Sequence, residues 1–322
     1  MKKIIALLCA VLMLLALCAC GQSAAPANEK VFTVGVCQLV QHPALDAATQ
    51  GFVDTLKAKL GDKVEIVVQN GSGDSTTCNT ICAQFVSDEV DLIMANATPA
   101  LTAAQGVTAD IPILGTSITT YGAAFGIDDW DSRSIALNVS GTSDLAPLDG
   151  QAEMLHDFFP DAKNVGILFC SGEPNSKYQV ETITPLLEAF GYKVTVYAFA
   201  DSNEVTQQAI SACGENDVLY IPTDNTAASC AEAINNVALP AGVPIIAGEE
   251  GLCAGCGVAT LSISYYDIGC ATAEMAYKIL VEGADVSKMP IEYAPEFVKK
   301  YNADLCSALN IAVPEGYVAI EG

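Results

Sequence analysis

Basic residues are what this chain has least of. Its 322 residues include 14 Lys and Arg against 38 Asp and Glu, with two histidines and one tryptophan. Arg133 is the only arginine. Once Lys2 and Lys3 leave with the N-terminal leader described below, 12 basic residues face 38 acidic ones, a net charge of −26. Such a surface repels phosphate backbones and anionic headgroups, which argues against nucleic-acid binding and electrostatic adhesion to lipid. Scarce histidine removes most metal and general-base chemistry. His42 and His156 both lie far from the close pairs Cys78-x3-Cys82 and Cys253-x2-Cys256. A structural zinc would need both pairs to converge, so no metal or cofactor is expected, and a Cys253–Cys256 disulfide in a Gly-rich loop is the better reading of the second pair. The chain has no Gly-x-Ser-x-Gly elbow, no Gly-x-x-x-x-Gly-Lys phosphate loop and no His-Glu-x-x-His helix. No catalytic residue is assigned, and an enzyme is not expected. Long apolar runs are missing after residue 20, so no bilayer-spanning helix is expected either.

The N-terminus itself is apolar. Lys2 and Lys3 precede the run from Ile4 to Leu17, which is short for a membrane span and reads as a secretory signal. It ends in Leu17-Cys18-Ala19-Cys20-Gly21, a pattern resembling a bacterial lipobox with Cys20 as the lipidated residue. Residues 21–30 are small and polar, as a flexible tether should be. The expected location is extracytoplasmic, anchored to the cell membrane by lipid alone. Ten of the thirteen cysteines then remain in the folded part. Most sit inside apolar elements, such as Cys37, Cys170, Cys213, Cys230 and Cys270, where cysteine behaves as a small buried hydrophobe.

The remaining 290 or so residues are too many for one ordinary core, and they repeat themselves. TVGVCQLV from Thr33 resembles NVGILFCS from Asn164, with Gly35 and Gly166 offset by 131. VDLIMANATPA from Val90 resembles NDVLYIPTDNTA from Asn216, and DIPILGTS from Asp110 resembles GVPIIAGEE from Gly242. Strands are expected near 31–37, 64–69, 91–95 and 111–115, and again near 165–169, 193–197, 218–221 and 244–247. Helices are expected between them, near 44–60, 76–87, 176–190, 204–212 and 224–237. Alternation of this kind implies an α/β fold of two doubly wound parallel-sheet lobes. A final helix, Tyr266 to Glu282, has no counterpart in the repeat and is expected to return to the first lobe. The lobes would then be 31–143 with 266–290, and 144–265 with 291–322. Three crossings, near 117–143, 248–264 and 289–293, would form the hinge.

HPALDAATQGF from His42, FVSDEVDLIMANATPA from Phe85, SGTSDLAP from Ser140, GEPNS from Gly172, YIPTDNTAAS from Tyr220, GEEG from Gly248 and YYDIG from Tyr265 carry a resemblance. Together they resemble substrate-binding lipoproteins of ABC transporters, of the tryptophan/tyrosine type. The likeness covers nearly the whole mature chain. It implies the type I periplasmic-binding fold, a small-molecule ligand, by analogy an aromatic amino acid, and a membrane permease as partner. The chain departs from it in its cysteine enrichment and in Glu249, where Asp is expected.

Open parallel sheets bind ligands beyond the carboxyl ends of their strands. Candidates there are His42, Thr98, Ser117, Asn175, Ser176, Thr223, Asp224, Asn225, Glu250 and Tyr265. A guanidinium clamp is not expected from a lone arginine in the segment around Trp130, so a ligand carboxylate would be held by helix amides and hydroxyls. Thr98 is placed for that, with Ser117, Asn175 and Ser176 as further donors, while Asp224 and Glu250 could pair with an ammonium. Each has a plainer role: Thr98 and Asp224 as helix caps, Glu250 as a loop carboxylate, His42 as a turn residue before Pro43. Glu173 is expected to matter less than its neighbours. Tyr121, Phe125, Tyr178 and Tyr265 are the candidate pocket aromatics; either Tyr265 or Tyr266 is placed to stack on an aromatic ligand, and the plainer role for each is to pack the hinge. The expected function is capture of a solute by clamp closure and delivery to an ABC importer. The alternatives are a nucleoside or other small-solute binder, and a receptor for a membrane sensor.

Overall fold

The structure is a computed structural model describing residues 30–127, 137–294 and 296–320. The signal, Cys20, most of the tether, Trp130 and Arg133 lie outside the described residues. The first sheet contains β1 (Phe32–Gln38), β2 (Val64–Asn70), β3 (Leu92–Asn96), β4 (Ile113–Ile118), β5 (Val139–Ser143) and the short late strand β11 (Glu292–Tyr293). In space they run β11-β5-β4-β3-β1-β2, all parallel. The second sheet contains β6 (Asn164–Cys170), β7 (Lys193–Phe199), β8 (Val218–Ile221), β9 (Ile245–Ala247), β10 (Ala259–Ser262), β12 (Val298–Tyr301) and β13 (Val318–Ala319). Its order is β13-β12-β10-β9-β8-β6-β7, parallel except that β12 runs against β10. The series β2-β1-β3-β4-β5 recurs as β7-β6-β8-β9-β10, which is the structural content of the sequence repeat.

Central strands such as β3 and β8 are apolar on both faces because helices cover both sides of each sheet. In the first lobe α1 (Pro43–Leu60) lies on one face, with α2 (Ser75–Ser87) and α3 (Thr98–Val107) on the other. The short α4 (Tyr121–Phe125) follows β4. The second lobe holds α5 (Leu148–Phe158), α6 (Pro174–Ala189), α7 (Val205–Glu215), α8 (Asn225–Ser229), α9 (Ala231–Ala241) and α10 (Glu250–Cys256). The expected helix 224–237 is two helices, broken at Cys230, whose backbone (φ −110°, ψ 14°) leaves the helical range.

The chain passes between the sheets at 144–147, at 263–264 and once more between β11 and β12. These crossings are shorter than the segments expected, because 117–143 contains β5 and 248–264 contains α10 and β10. Strand β5 is hard to read in sequence because it reads VSGTS. Its hydroxyls are buried against partners instead: Ser140 donates to the Met289 carbonyl (3.0 Å), and Thr142 bonds to Thr116 (3.2 Å) and Thr272 (2.9 Å). Strand β11 also pairs with β5, so residues 292–293 sit on the first sheet rather than the second.

Helix α11 (Tyr265–Glu282) returns to the first lobe and lies against α1. Two glycines allow the backbones to touch. A Cβ on Gly269 would stand 2.0 Å from the Ala48 carbonyl oxygen, and one on Gly51 would stand 2.1 Å from that of Tyr266. Neither neighbour is a side chain that can swing away. Gly269→Ala is therefore expected to cost about 1–3 kcal/mol and to lower the melting temperature by several degrees. Thermal unfolding monitored by circular dichroism measures it.

Candidate ligand-binding site

The carboxyl ends of the two sheets face each other, and each side chain there is fixed by its own element. After β1 the chain turns at His42, which precedes Pro43 at the first position of α1. Gln38 holds this turn by donating to Asp46 (2.7 Å) and the Val40 carbonyl (2.9 Å) while accepting from Thr49 (2.6 Å). His42 is buried, and its Nε2 lies 3.3 Å from Oδ1 of Asn225 in the other lobe. Burial holds the imidazole below its ordinary pKa, outweighing the opposing pull of Asn225 and of the Glu173 and Asp46 charges. Its Nδ1 has no partner.

At the ends of β3 and β4 the backbone is strained. Ala97 has φ 87° and Ser117 has φ 56°, values that non-glycine residues rarely adopt. Beside them the hydroxyls of Thr98 and Ser117 are buried without partners. Strain together with unsatisfied polar atoms at strand ends points to a functional constraint rather than to packing.

Three carboxyl groups meet around a cavity of about 10 Å³ between the lobes. Asp144 lies in the first crossing. One of its oxygens accepts from the Tyr265 hydroxyl (2.9 Å), the other has no partner, and burial pushes its pKa up to about 6. Asp224 caps α8 through the Ala227 N–H (2.8 Å) and accepts the Cys170 N–H (2.7 Å). Burial, then the Glu173 charge, raises it to about 7. Glu249 caps α10 by accepting from the N–H groups of Gly251 (2.6 Å) and Leu252, and burial raises it to about 7. No Lys or Arg is among the described residues lining the cavity. The site is electronegative, and no cation among the described residues lining it answers it.

Of the sequence candidates, His42, Thr223, Asp224, Asn225 and Tyr265 line this cavity, with Leu45 and Ala228 as apolar walls. Asn175 and Ser176 lie behind it. Asn175 Nδ2 donates to Glu173 (3.1 Å) and to the Thr223 carbonyl (3.2 Å), while its Oδ1 has no partner. Thr98 and Ser117 are buried at the opposing strand ends but do not line the small cavity. Glu250 does not line the small cavity. Its carboxylate is held by Lys300 (2.7 Å) and Ser262 (2.6 Å), whereas its neighbour Glu249 points inward. The single-residue step follows from the cap: the helix starts at Glu250, and the residue before it folds back over the first turn.

Asp144 and Glu249 also line the cavity but are not among the sequence candidates, although SGTSDLAP and GEEG carry both. Glu173, expected to matter little, organises the second lobe by accepting from the backbone and side-chain donors of Asn225 (3.1 and 2.5 Å) and of Thr226 (2.8 and 2.7 Å). Among the aromatics, Tyr121 is fully buried and donates to the carbonyls of Gly115 and Thr142 (3.1 Å each), a structural role. Tyr266 is 42% exposed and bonds to Asp54 (3.3 Å). Tyr178 borders a larger concavity on one flank of the cleft, with Thr120, Ile127 and Lys177. The lobes touch through the His42–Asn225 bond, through α4 against α6, and through α10 against α1, so the clamp is shut.

A family model for ABC transporter substrate binding proteins matches residues 33–320. A tyrosine-binding protein of Clostridioides difficile (strain R20291) is 36% identical over 287 residues, covering 88% of this chain and 82% of that protein. A Streptococcus pneumonia ABC domain solved in complex with L-Trp superposes with a TM-score of 0.84 at 30% identity, covering 90% of this chain and 99% of that one. A substrate binding protein with adhesive properties from Clostridium difficile, in a ligand-free, open structure, gives 0.67 at 38% identity, again over 90% and 99%. The lobe arrangement is thus closer to the ligand-bound relative than to the open one, although the open one is closer in sequence. The fold is that of type I periplasmic binding proteins, and the chain belongs to the family of ABC transporter substrate binding proteins.

Proposed function

We propose that this protein captures an aromatic α-amino acid between its lobes and presents it to an ABC importer. The observation that carries the reading is the cavity's polarity. Asp144, Asp224 and Glu249 converge with no cation among them, opposite buried, unpaired hydroxyls at Thr98 and Ser117. A ligand ammonium satisfies the first group, and a ligand carboxylate suits the second together with the N-terminal amides of α3. The names of the tyrosine-binding relative and of the L-Trp complex support an aromatic side chain.

The cavity has room for about one water molecule. Entry of an amino acid therefore requires the lobes to part, and the ligand then stabilises a closed form with a wider cavity than this one by touching both of them. Export, lipidation at Cys20 and docking on a permease complete the proposal, in keeping with the lipobox and the family. Binding needs no catalytic group. The test is a thermal-shift screen of the mature protein against the amino acids and a nucleoside set. At one hundred times its Kd the true ligand adds about 2.7 kcal/mol of stability. The expected response is to tyrosine, tryptophan or phenylalanine, whereas a response to nucleosides alone would overturn the amino-acid assignment.

A further inference from the structure

Cys37, Cys78 and Cys82 form a cluster of thiols away from the ligand cavity. Cys37 is the sixth residue of β1 and points into the core beneath α2. Cys78 and Cys82 lie four residues apart on α2 and so share the face turned towards that strand. All three are fully buried. All three belong to one buried core cluster between β1 and α2, and the neighbouring Cys78 thiol, then that of Cys82, then burial, raises the Cys37 pKa. A metal does not explain the cluster, since no group of three or more His, Cys, Asp or Glu among the described residues is disposed to hold one.

We propose that Cys37 is the common member of a disulfide formed with either Cys78 or Cys82, cross-linking β1 to α2 when the chain folds in an oxidising compartment. The oxidant is a low-molecular-weight disulfide or the disulfide of a thiol oxidoreductase. A Cys37 thiolate attacks it, forms a mixed disulfide and releases one thiol. The thiolate of Cys78 or Cys82 then attacks the Cys37 sulfur, closes the protein disulfide and releases the second thiol. The two protein thiols lose two electrons and two protons, and the oxidant's disulfide gains them. Full burial keeps reagents from the thiols of the folded protein, so the bond forms before the core closes.

The cross-link bears on the loop that carries His42. Cys78 packs so tightly on Gly71 that a Cβ there would stand 2.4 Å from its sulfur. Gly71 and Gly73 donate their N–H groups to the carbonyls of Gln38 and Leu39 (2.8 Å each). The end of β1, the turn at 70–74 and the start of α2 are thus one block, which the bond would pin. The pair Cys253 and Cys256 is different. Both lie on α10, the Cys256 thiol donates to the Leu252 carbonyl (3.4 Å), and a bond between them would close only a short loop with little effect on the unfolded chain.

The test is to refold the protein in a glutathione redox buffer and, in parallel, in excess reductant. Free thiols are then alkylated and the products mapped by mass spectrometry. The expected oxidised product has Cys37 and one of Cys78 and Cys82 protected from alkylation, and melts roughly 5–10 °C above the reduced form. Cys78→Ala should shift the bond wholly to Cys82, and Cys82→Ala should shift it to Cys78. Alkylation of all three thiols in the oxidised sample, a Cys78–Cys82 bond that leaves Cys37 free, or stoichiometric zinc on the three would each overturn the proposal. The map is read on the unmutated chain, so a variant that fails to fold does not obscure the answer.

Discussion

Asp144→Asn should raise the Kd for the amino-acid ligand by about 30- to 150-fold, the equivalent of about 2–3 kcal/mol for removing one member of a buried charge pair. The same substitution should leave the ligand-free protein as stable as before, or more so. Asparagine keeps an oxygen to accept the Tyr265 hydroxyl, and its amide group takes the place of the oxygen that has no partner. Asp144 is costly to ionise where it stands, since burial lifts its pKa to about 6. Removing the charge therefore relieves the empty protein while depriving the ligand ammonium of its counterion. Affinity and stability move in opposite directions, which a merely structural carboxylate would not produce. Asp224 and Glu249 do not offer so clean an experiment. Each accepts two backbone N–H groups, and an amide there would turn a donor towards a donor. Titration calorimetry and thermal unfolding of the Asp144 variant measure both effects. A Kd within threefold of the unmutated protein would remove Asp144 from the ammonium seat.

Much of this architecture was legible in the chain because it is written twice. The paired strands of the two lobes are apolar runs bounded by turn residues, and their order survives in the folded sheets. What escaped were elements whose burial depends on the rest of the fold. Strand β5 looks polar until Ser140 and Thr142 meet Met289, Thr116 and Thr272, all distant in sequence. Strand β11 exists only because the return of α11 brings it to the sheet edge. The site followed the same division. His42, Asp224 and Asn225, expected at the strand ends, line the cavity between the lobes. The exchange of Glu250 for Glu249 turned on one residue of helix-cap geometry, and Lys300, fifty residues away, supplies the salt bridge that takes Glu250 out of the cavity. Asp144 was visible as a residue but not as a site, because its segment looked like a connection.

Ligand affinity should rise, and the stability of the empty protein should fall, as pH increases from about 5.5 to 7.5. Asp144, Asp224 and Glu249 are raised to about 6, about 7 and about 7, chiefly by burial. Each holds its proton more tightly in the folded chain than in the unfolded one. The stability they contribute is complete below the ordinary carboxylate range and is lost as pH climbs through those raised values. His42 acts the other way. Its pKa is lowered by burial, so it costs stability as pH falls below its ordinary value of 6.5. Three carboxyl groups against one imidazole leave the falling trend dominant throughout this window. Binding reverses the preference, because an ammonium among the three favours their ionised forms. It stays protonated across this range, and it must expel the protons that the empty cavity retains. For each proton expelled, Kd should fall about tenfold per pH unit within that window. Calorimetry in two buffers of different ionisation enthalpy counts those protons directly, and thermal unfolding without ligand gives the opposing slope. A Kd that is flat or rises with pH would mean that the ammonium lies elsewhere, and that the three carboxyl groups stay protonated as hydrogen-bond donors in the closed clamp.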